Sequence, residues 1–515
     1  MSRDTTLAAI RARLAAETGR IDKHAPFRVV LAYPSPYRTG MSSLGFLQIY
    51  RMIQREEGMA CERAFLGDDE AQERLPPLTY EGLRPLNAFP VVALSVAYEL
   101  ELAGVVKLLE AAKIPALREE RDERHPFILA GGPLTFSNPL PLAAFADAIL
   151  MGEADTLAVE VLRALRDAGS REEALDALGR MPHVFVPSRH GSVMPSVAQC
   201  DDDLLPAWSP IRTPDTELSN MFLIETERGC SRGCAYCVMR RSTNGGMRIV
   251  PKERLLELIP EDARRVGLVG AAVSDHPKIV EVVRTLAERG CEVGLSSLRP
   301  DRLNEEFVGA LKLVGYRTLT TAMDGTSERV REVLERRARP RHLERAAELA
   351  RRHGMKRLKL YLMIGVPTET DADVDECVAF TMELSKITPV ALGIAPFCPK
   401  RNTPLHAAPF AGIDVVSRRL DRLRRGLKGR VDVRATSAKW AWVEAVLARG
   451  GEAEGRAVRE AVHAGGTFAA YQRAFADLPA TRSITVGGPA PAVPEGPPAR
   501  GRRRLAVVPR EAPVE

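Results

Sequence analysis

Between residues 221 and 395, short apolar runs alternate with amphipathic stretches at a steady interval. Strands are expected at 221–226, 265–273, 292–297, 317–322, 357–364 and 389–395. Helices are expected between them, for example at 251–262, 277–289, 303–313, 327–336 and 341–353. A repeat of this kind is satisfied by parallel strands with crossover helices packed on them, because a parallel pair needs a long connection. Six such units fit a partial (β/α)6 barrel. In barrels the loops at the C-terminal strand ends converge on one mouth, and chemistry collects there. The central region is therefore α/β, and the residues to weigh are those that follow each strand.

The loop after the first strand is the most distinctive stretch of the chain. It reads Arg228-Gly229-Cys230-Ser231-Arg232-Gly233-Cys234-Ala235-Tyr236-Cys237, just beyond the apolar run Met221-Phe222-Leu223-Ile224. Three cysteines stand at CxxxCxxC spacing, and thiolates are the ligands of iron–sulfur clusters. Three of them can hold three irons of a 4Fe–4S cube and leave the fourth iron open to a small molecule. Gly229 and Gly233 let the loop fold back without steric cost. Structural zinc takes four ligands, usually as two pairs, and His276 and Cys291, the next candidates, are far off and isolated. A disulfide would leave one cysteine over.

The N-terminal third also alternates. A helix over 6–20 precedes strands at Phe27–Tyr33, Arg63–Phe65, Val91–Ser95, Phe127–Ala130 and Ala148–Met151. Helices are expected at Ser43–Glu57, 101–113 and 155–168. The natural fold is a doubly wound parallel sheet, whose ligands bind beyond the C-terminal strand ends. The loops there are rich in Gly, Pro, Ser and Asn, which serve tight turns as well as ligands.

Composition narrows the alternatives. The 515 residues suffice for two or three domains. A net charge of +6, from 73 basic and 67 acidic residues, is too mild to imply a nucleic-acid partner. No apolar run reaches the roughly 18–20 residues that span a bilayer, and the start, Met1-Ser2-Arg3-Asp4, leads into a charged amphipathic stretch. Eight cysteines with an unpaired triad fit a reducing compartment, so a cytoplasmic location is expected. Residues 181–212 read as a connector with Pro187, Pro195, Pro206 and Pro210. A basic helix at 413–429 carries Arg418, Arg419, Arg422, Arg424, Arg425 and Lys428, better read as a solvated face than as a nucleic-acid contact. A short strand at Val431–Arg434 and a helical segment at 437–477, suited to capping the barrel mouth, follow. The Pro-, Gly-, Ala- and Arg-rich end should lack structure. The expected division is thus 1–205, 206–412, 413–480 and a disordered tail at 481–515.

The triad, with Tyr236 before its last cysteine, resembles the signature of the radical S-adenosylmethionine (radical SAM) enzymes. The resemblance implies that Cys230, Cys234 and Cys237 ligate a 4Fe–4S cluster whose open iron chelates the amino and carboxylate groups of S-adenosylmethionine. One electron then cleaves the sulfonium to a 5′-deoxyadenosyl radical, with an electron donor such as flavodoxin or ferredoxin as partner. The resemblance runs on through the strand ends. Gly270 and Ser274 stand where a small-residue motif receives the amino group, although the usual Gly-Gly-Glu form is absent. Ser296 and Arg299 are placed to hold the carboxylate, since arginine pairs with carboxylates bidentately; a helix cap and a surface arginine are the plainer reading. Asp324 stands in for a family glutamate, and Ser327, beside it, is equally a helix N-cap before Val330. Gly365, Pro367 and Glu369 match a Gly-x-Pro-x-Glu turn beside the adenine. His276 is an acid–base candidate or a plain helix-entry turn, and Cys398 faces substrate or fills a core.

The N-terminal loops resemble the cobalamin-binding domain that precedes the core in many radical SAM enzymes. Pro34, Tyr37, Gly40, Met41 and Gly45 carry this resemblance after the first strand, with Ser95 and Tyr98 after the third. Gly131, Gly132 and Pro133, then Gly152 and Glu153, continue it. The Asp-x-His-x-x-Gly motif of many such domains is absent, and His24, His125, His183 and His190 lack its context. The resemblance therefore implies the members that bind cobalamin without a histidine ligand, with Tyr98 or Arg38 as candidates for its lower face. The activity implied is cobalamin-dependent methyl transfer to an unactivated carbon or phosphorus centre. The alternatives are a radical rearrangement, cyclisation or oxidation, and an RNA-modifying or RNA-binding protein. A methylthiotransferase would need a second cluster, and only Cys61 and Cys200 precede the triad.

Overall fold

The computed structural model describes residues 3–239, 246–296, 298–486 and 502–505. Strand β1 (Phe27–Pro36) lies between β2 (Met59–Leu66) and β3 (Val91–Ser95), followed by β4 (Phe127–Gly131), β5 (Ala148–Leu150) and β6 (Val184–Phe185). All pair in parallel except β6, which closes the edge antiparallel to β5. The order β2-β1-β3-β4-β5 places a switch point between β1 and β3, where successive connections leave for opposite faces. Alternate residues of β1 go to different cores. Val30 and Ala32 pack with the helix Leu102–Ala111 on one face; Val29, Leu31 and Tyr33 pack with the helices Leu44–Arg55 and Leu157–Asp167 on the other. Ser43 caps the helix Leu44–Arg55 by accepting from the Phe46 N–H.

The central strands are β7 (Phe222–Glu225), β10 (Arg265–Val269), β11 (Glu292–Leu295), β12 (Thr318–Asp324), β13 (Arg357–Ile364) and β14 (Val390–Pro396). They form two parallel sheets, β11-β10-β7 and β12-β13-β14-β15, the last strand being β15 (Asp432–Ala435). The six expected βα units are present, and β15 extends the second sheet by one strand. Between β11 and β12 the backbone ladder lapses. Side chains bridge that seam: the Tyr316 hydroxyl bonds both the N–H (3.0 Å) and the carbonyl (3.2 Å) of Leu295, and Thr321 donates to the Leu298 carbonyl (2.8 Å).

A small ribbon was not expected. β8 (Glu227–Gly229) pairs antiparallel with β9 (Met247–Ile249), and β16 (Arg502–Arg504) lies parallel to β9. The cysteine loop is thus the connection of a hairpin whose stem is β8 and β9. The tail from 481 is also not structureless throughout: helix Pro479–Val486 crosses that boundary, and β16 adds an edge to the ribbon. Tail residues 487–501 and 506–515, together with Ser297, lie outside the described residues.

The C-terminal helices Ala438–Arg449 and Glu452–His463 brace the two domains. Arg118 pairs with Glu452 (3.1 Å), and Glu110 takes both Arg459 (3.0 Å) and His463 (2.9 Å). Lys400, after β14, sits 2.6 Å from both Glu99 of the N-terminal domain and Glu444 of the cap. On the basic helix Ile413–Leu427, Arg419 engages Glu369 and Asp371, and Arg422 engages Asp375, so part of its charge is internally matched. Among the described residues no helix is long and apolar enough to cross a membrane.

Candidate functional site

The cysteine loop leaves β8 at Gly229, whose φ of +96° lies in the left-handed region that glycine tolerates. The loop is pinned from both sides: Ala235 N–H donates to the Leu334 carbonyl (3.0 Å), and Leu405 N–H donates to the Ala235 carbonyl (3.2 Å). None of its cysteines is in a disulfide. Burial raises the pKa of the Cys230 thiol and takes Cys237 to about 11, and the neighbouring thiols of the triad add to both shifts. Ionising these thiols together in a poorly solvated loop needs a cationic partner. Among the described residues, no three His, Cys, Asp or Glu side chains gather round a single-ion position. Three thiolates are a donor set that an iron–sulfur cube would use, each reaching a different iron.

Beside the triad, Tyr236 hydrogen-bonds Asp324, which is ion-paired with Arg336; the Arg336 guanidinium lies 3.9 Å from Cys234 Sγ. Burial pushes the Asp324 carboxyl up, against the pull of Arg336. Tyr236 and Asp324 are thus brought together. At the end of β10, Ser296 Oγ donates to the Gly270 carbonyl (2.9 Å) and accepts from its N–H (3.1 Å), tying β10 to β11. Opposite Gly270 stands a residue the sequence reading missed. A Cβ on Gly270 would lie 1.9 Å from Glu227 Oε1, and that oxygen accepts from Ala272 N–H (2.9 Å). Burial pushes the Glu227 carboxyl up to about 8. A carboxylic group therefore does face the Gly270 turn, supplied by β8 instead of by a Gly-Gly-Glu run.

Other expected cosubstrate residues have partners within the protein. Arg299 is ion-paired with Asp275 and Asp301, so its guanidinium is matched already, and Ser274 accepts from the Arg299 N–H (2.9 Å). Ser327 is the helix cap, accepting from Val330 N–H (3.1 Å) and donating to Asp373 (2.6 Å). Glu369 closes the Gly365–Glu369 turn around half-buried Pro367: it accepts from Gly365 N–H (2.6 Å) and Thr326 (2.6 Å) and pairs with Arg419 (3.0 Å). Burial raises its pKa. His276 is a turn residue, with Nε2 on the Val250 carbonyl (2.8 Å) and Nδ1 on Lys278 N–H (3.1 Å). Cys398 is directed at the Ala441 carbonyl (3.3 Å).

A cavity of about 590 Å³ lies between the C-terminal strand ends of the N-terminal sheet and the hairpin stem. Gly45, Ser95, Gly131, Gly132, Pro133, Gly152 and Glu153 line its sheet side; Glu227, Arg228, Gly229, Met239 and Gly270 line its barrel side. Leu31, Ile49, Ile53, Leu129 and Leu150 make the wall largely apolar. Gly132 and Gly152 have φ of +106° and +94°, and a Cβ on either would meet backbone at 2.6 Å, so these turns admit only glycine. The remaining expected residues turn away. The Tyr37 hydroxyl donates to Glu17 (2.7 Å), Gly40 packs on Phe65, and Met41 Sδ lies 3.2 Å from Arg63. The Pro34 carbonyl stands where a Cβ on Gly104 would be, Tyr98 is half-exposed near Glu101 and Glu444, and Arg38 is exposed beside Glu217. They follow strand ends in sequence, but tertiary packing commits them to the core or the surface.

Under the cavity runs a buried charge network that sequence reasoning also missed. Arg228, two residues before Cys230, forks onto Glu225 (2.8 and 2.9 Å) and reaches Asp155 (2.8 Å). Arg248 on β9, 2% exposed, grips Glu153, and Gln48 donates to Asp155 (3.0 Å). Burial, with Arg55 nearby, lowers Arg51 to about 9; it donates to Gln48 (3.2 Å) and covers the Trp208 ring. The network fixes the hairpin stem to the loops after β5.

Known proteins place this architecture. Residues 224–381 match the radical SAM superfamily, and residues 45–187 match the family described as radical SAM proteins, N-terminal. The chain belongs to the radical SAM superfamily and is a radical SAM enzyme preceded by an N-terminal α/β domain. An uncharacterized protein of Methanocaldococcus jannaschii is 27% identical over 391 residues, covering 74% of this chain and 80% of its own. The 2-(S-pantetheinyl)-carbapenam-3-carboxylate methyltransferase of Streptantibioticus cattleyicolor is 26% identical over 58% of this chain and 47% of its own. The solved cobalamin-dependent S-adenosylmethionine radical enzyme OxsB overlays 68% of this chain and 51% of its own, with TM-score 0.46 and 12% identity. The chain thus spans about half the length of these last two proteins.

Proposed function

We propose that this chain is a cobalamin-dependent radical SAM methyltransferase acting on an unactivated centre. The observation that carries the reading is the shared cavity: the strand ends of the N-terminal sheet and the stem of the cysteine loop line one largely apolar space. A corrinoid is large and apolar-faced, and the glycine turns at Gly132 and Gly152 let it approach the backbone. When bound, the cluster would supply the electron that cleaves S-adenosylmethionine, and cobalamin would carry the methyl group. The chain's own residues position these groups. Cys230, Cys234 and Cys237 would hold the irons, while Arg228 and Arg248 fix the loop's stem against Asp155 and Glu153. Glu227 presents a carboxyl at the Gly270 turn, suited to an ammonium group. The methyltransferase name of the carbapenam relative supports the reading.

A radical reaction without methyl transfer is the second reading. It is favoured by one observation: of the residues expected to face cobalamin, Tyr37 bonds Glu17, Met41 lies against Arg63, Gly40 packs on Phe65 and Tyr98 sits at the surface near Glu444. Anaerobic titration of the reconstituted enzyme with hydroxocobalamin separates the two. Saturable binding, with a change in corrinoid absorption on adding S-adenosylmethionine, supports methyl transfer. Absence of binding at saturating cofactor discards it. Substitution of all three cysteines by alanine should abolish iron loading in either case.

A further inference from the structure

Strand β13 carries two side chains that neither the fold nor the cluster uses. Leu358, Leu360, Leu362 and Ile364 point outward into the core formed with the flanking helices. The intervening Lys359, Tyr361 and Met363 therefore face the concave side of the sheet, the barrel lumen. There Tyr361 is 46% exposed, unusual for an aromatic ring inside a barrel. The neighbours make room for it. Register places Ala322 and Gly393 on either side of Tyr361, and Thr320 and Ala391 on either side of Lys359. A Cβ on Gly393 would lie 2.6 Å from the ring, so the glycine is what lets Tyr361 lie across β14.

Lys359 is the matching charge. Its ammonium stands 4.6 Å from the Tyr361 ring centroid. Among the described residues it forms no ion pair with a carboxylate. Asp432, the acid on β15 in the same row, is taken by Arg434 (3.0 Å) and Arg357 (3.6 Å). A half-buried lysine with no counter-charge, over an open aromatic face, is built to receive an anion.

We propose that Lys359 and Tyr361 form an anion-anchoring subsite for the acceptor, which carries a carboxylate or phosphate beside an apolar or planar body. The proposal rests on the reading of the barrel mouth as the reaction site and supplies the substrate class which that reading lacks. At about 3.3 Å per residue, the anchor lies roughly 10–16 Å below the end of β13. The acceptor extends up the lumen, so binding energy from its remote anion positions the reacting atom at the mouth.

The test needs neither cluster nor cobalamin activity. Binding of benzoate, phenyl phosphate and the neutral benzyl alcohol to the full-length protein is measured by saturation-transfer NMR and calorimetry. The variants are Lys359→Met, Lys359→Arg and, as a surface control, Lys386→Met. At least one anion should bind saturably, weaken about tenfold or more in Lys359→Met, and stay within about threefold in Lys359→Arg and Lys386→Met. Whichever anion responds identifies carboxylate or phosphate as the recognised group. Equal affinities in wild type and Lys359→Met, benzyl alcohol binding as tightly as the anions, or no saturable anion binding by the wild type would each overturn the proposal. A failed cobalamin titration alongside Lys359-dependent binding discards methyl transfer and keeps the subsite; the reverse result does the opposite.

Discussion

Glu227 shows how one buried residue ties the site to pH. Unfolded, its carboxyl titrates near 4.5; folded, burial holds the proton up to about pH 8. The protonated carboxyl's contribution is therefore fully present below about pH 4.5 and is lost as pH rises through 8. Glu227→Gln keeps the shape and the acceptor oxygen for Ala272 N–H while removing the titration. Its melting temperature should match wild type near pH 5 and exceed it at pH 8.5, by on the order of 1–3 kcal/mol of stability. Parallel melting profiles for the two proteins across that range would refute the assignment. Cys230, Cys234, Cys237 and Tyr236 stand out in the sequence because their motif is local: spacing alone carries it. Glu227 does not, since its meaning depends on Gly270, brought opposite it only by the pairing of β7 with β10.

The long elements were legible for the same reason as the triad. Hydrophobic runs bounded by turn residues report strands such as β1 and β13 directly. The hairpin β8–β9 was hidden because its strands, Glu227-Arg228-Gly229 and Met247-Arg248-Ile249, are too short to show a period. Its stability comes from side chains, above all Arg248 on Glu153. Removing one partner of a buried pair leaves the other charge desolvated, a loss of about 3–5 kcal/mol. Arg248→Met should lower the urea midpoint by a corresponding amount and raise hydrogen exchange first in β8 and β9. Iron loading of this variant should fall below wild type, because the stem that aims the cysteine loop is loosened. A stability unchanged from wild type would mean that the ribbon contributes nothing to the folded state. The seam between β11 and β12 was equally hidden, since Tyr316 bonds Leu295 across it through a side chain and not a ladder.

At the scale of the molecule, the two α/β units together line a cavity, and that juxtaposition was only half legible. Loops such as Gly131-Gly132-Pro133 do line the cavity, whereas Tyr37 and Met41, equally close to a strand end, are core. Sequence order cannot say which loop residues the opposing domain will face. The architecture can be tested where a side chain would enter the cavity without touching the protein. Gly45 lines the space, and a Cβ built there meets nothing within 4 Å. It lies in the first turn of the helix Leu44–Arg55, where replacing glycine costs no backbone strain and improves helix propensity by about 0.5 kcal/mol or more. Gly45→Phe should therefore fold as well as wild type and load the same iron, since the cysteine loop is untouched. Its ring would occupy volume that a corrinoid must fill, weakening cobalamin affinity by about tenfold or more. Unchanged iron with lost cobalamin would place the second cofactor between the domains. Unchanged affinity for both would move it elsewhere and leave the cavity to the acceptor alone.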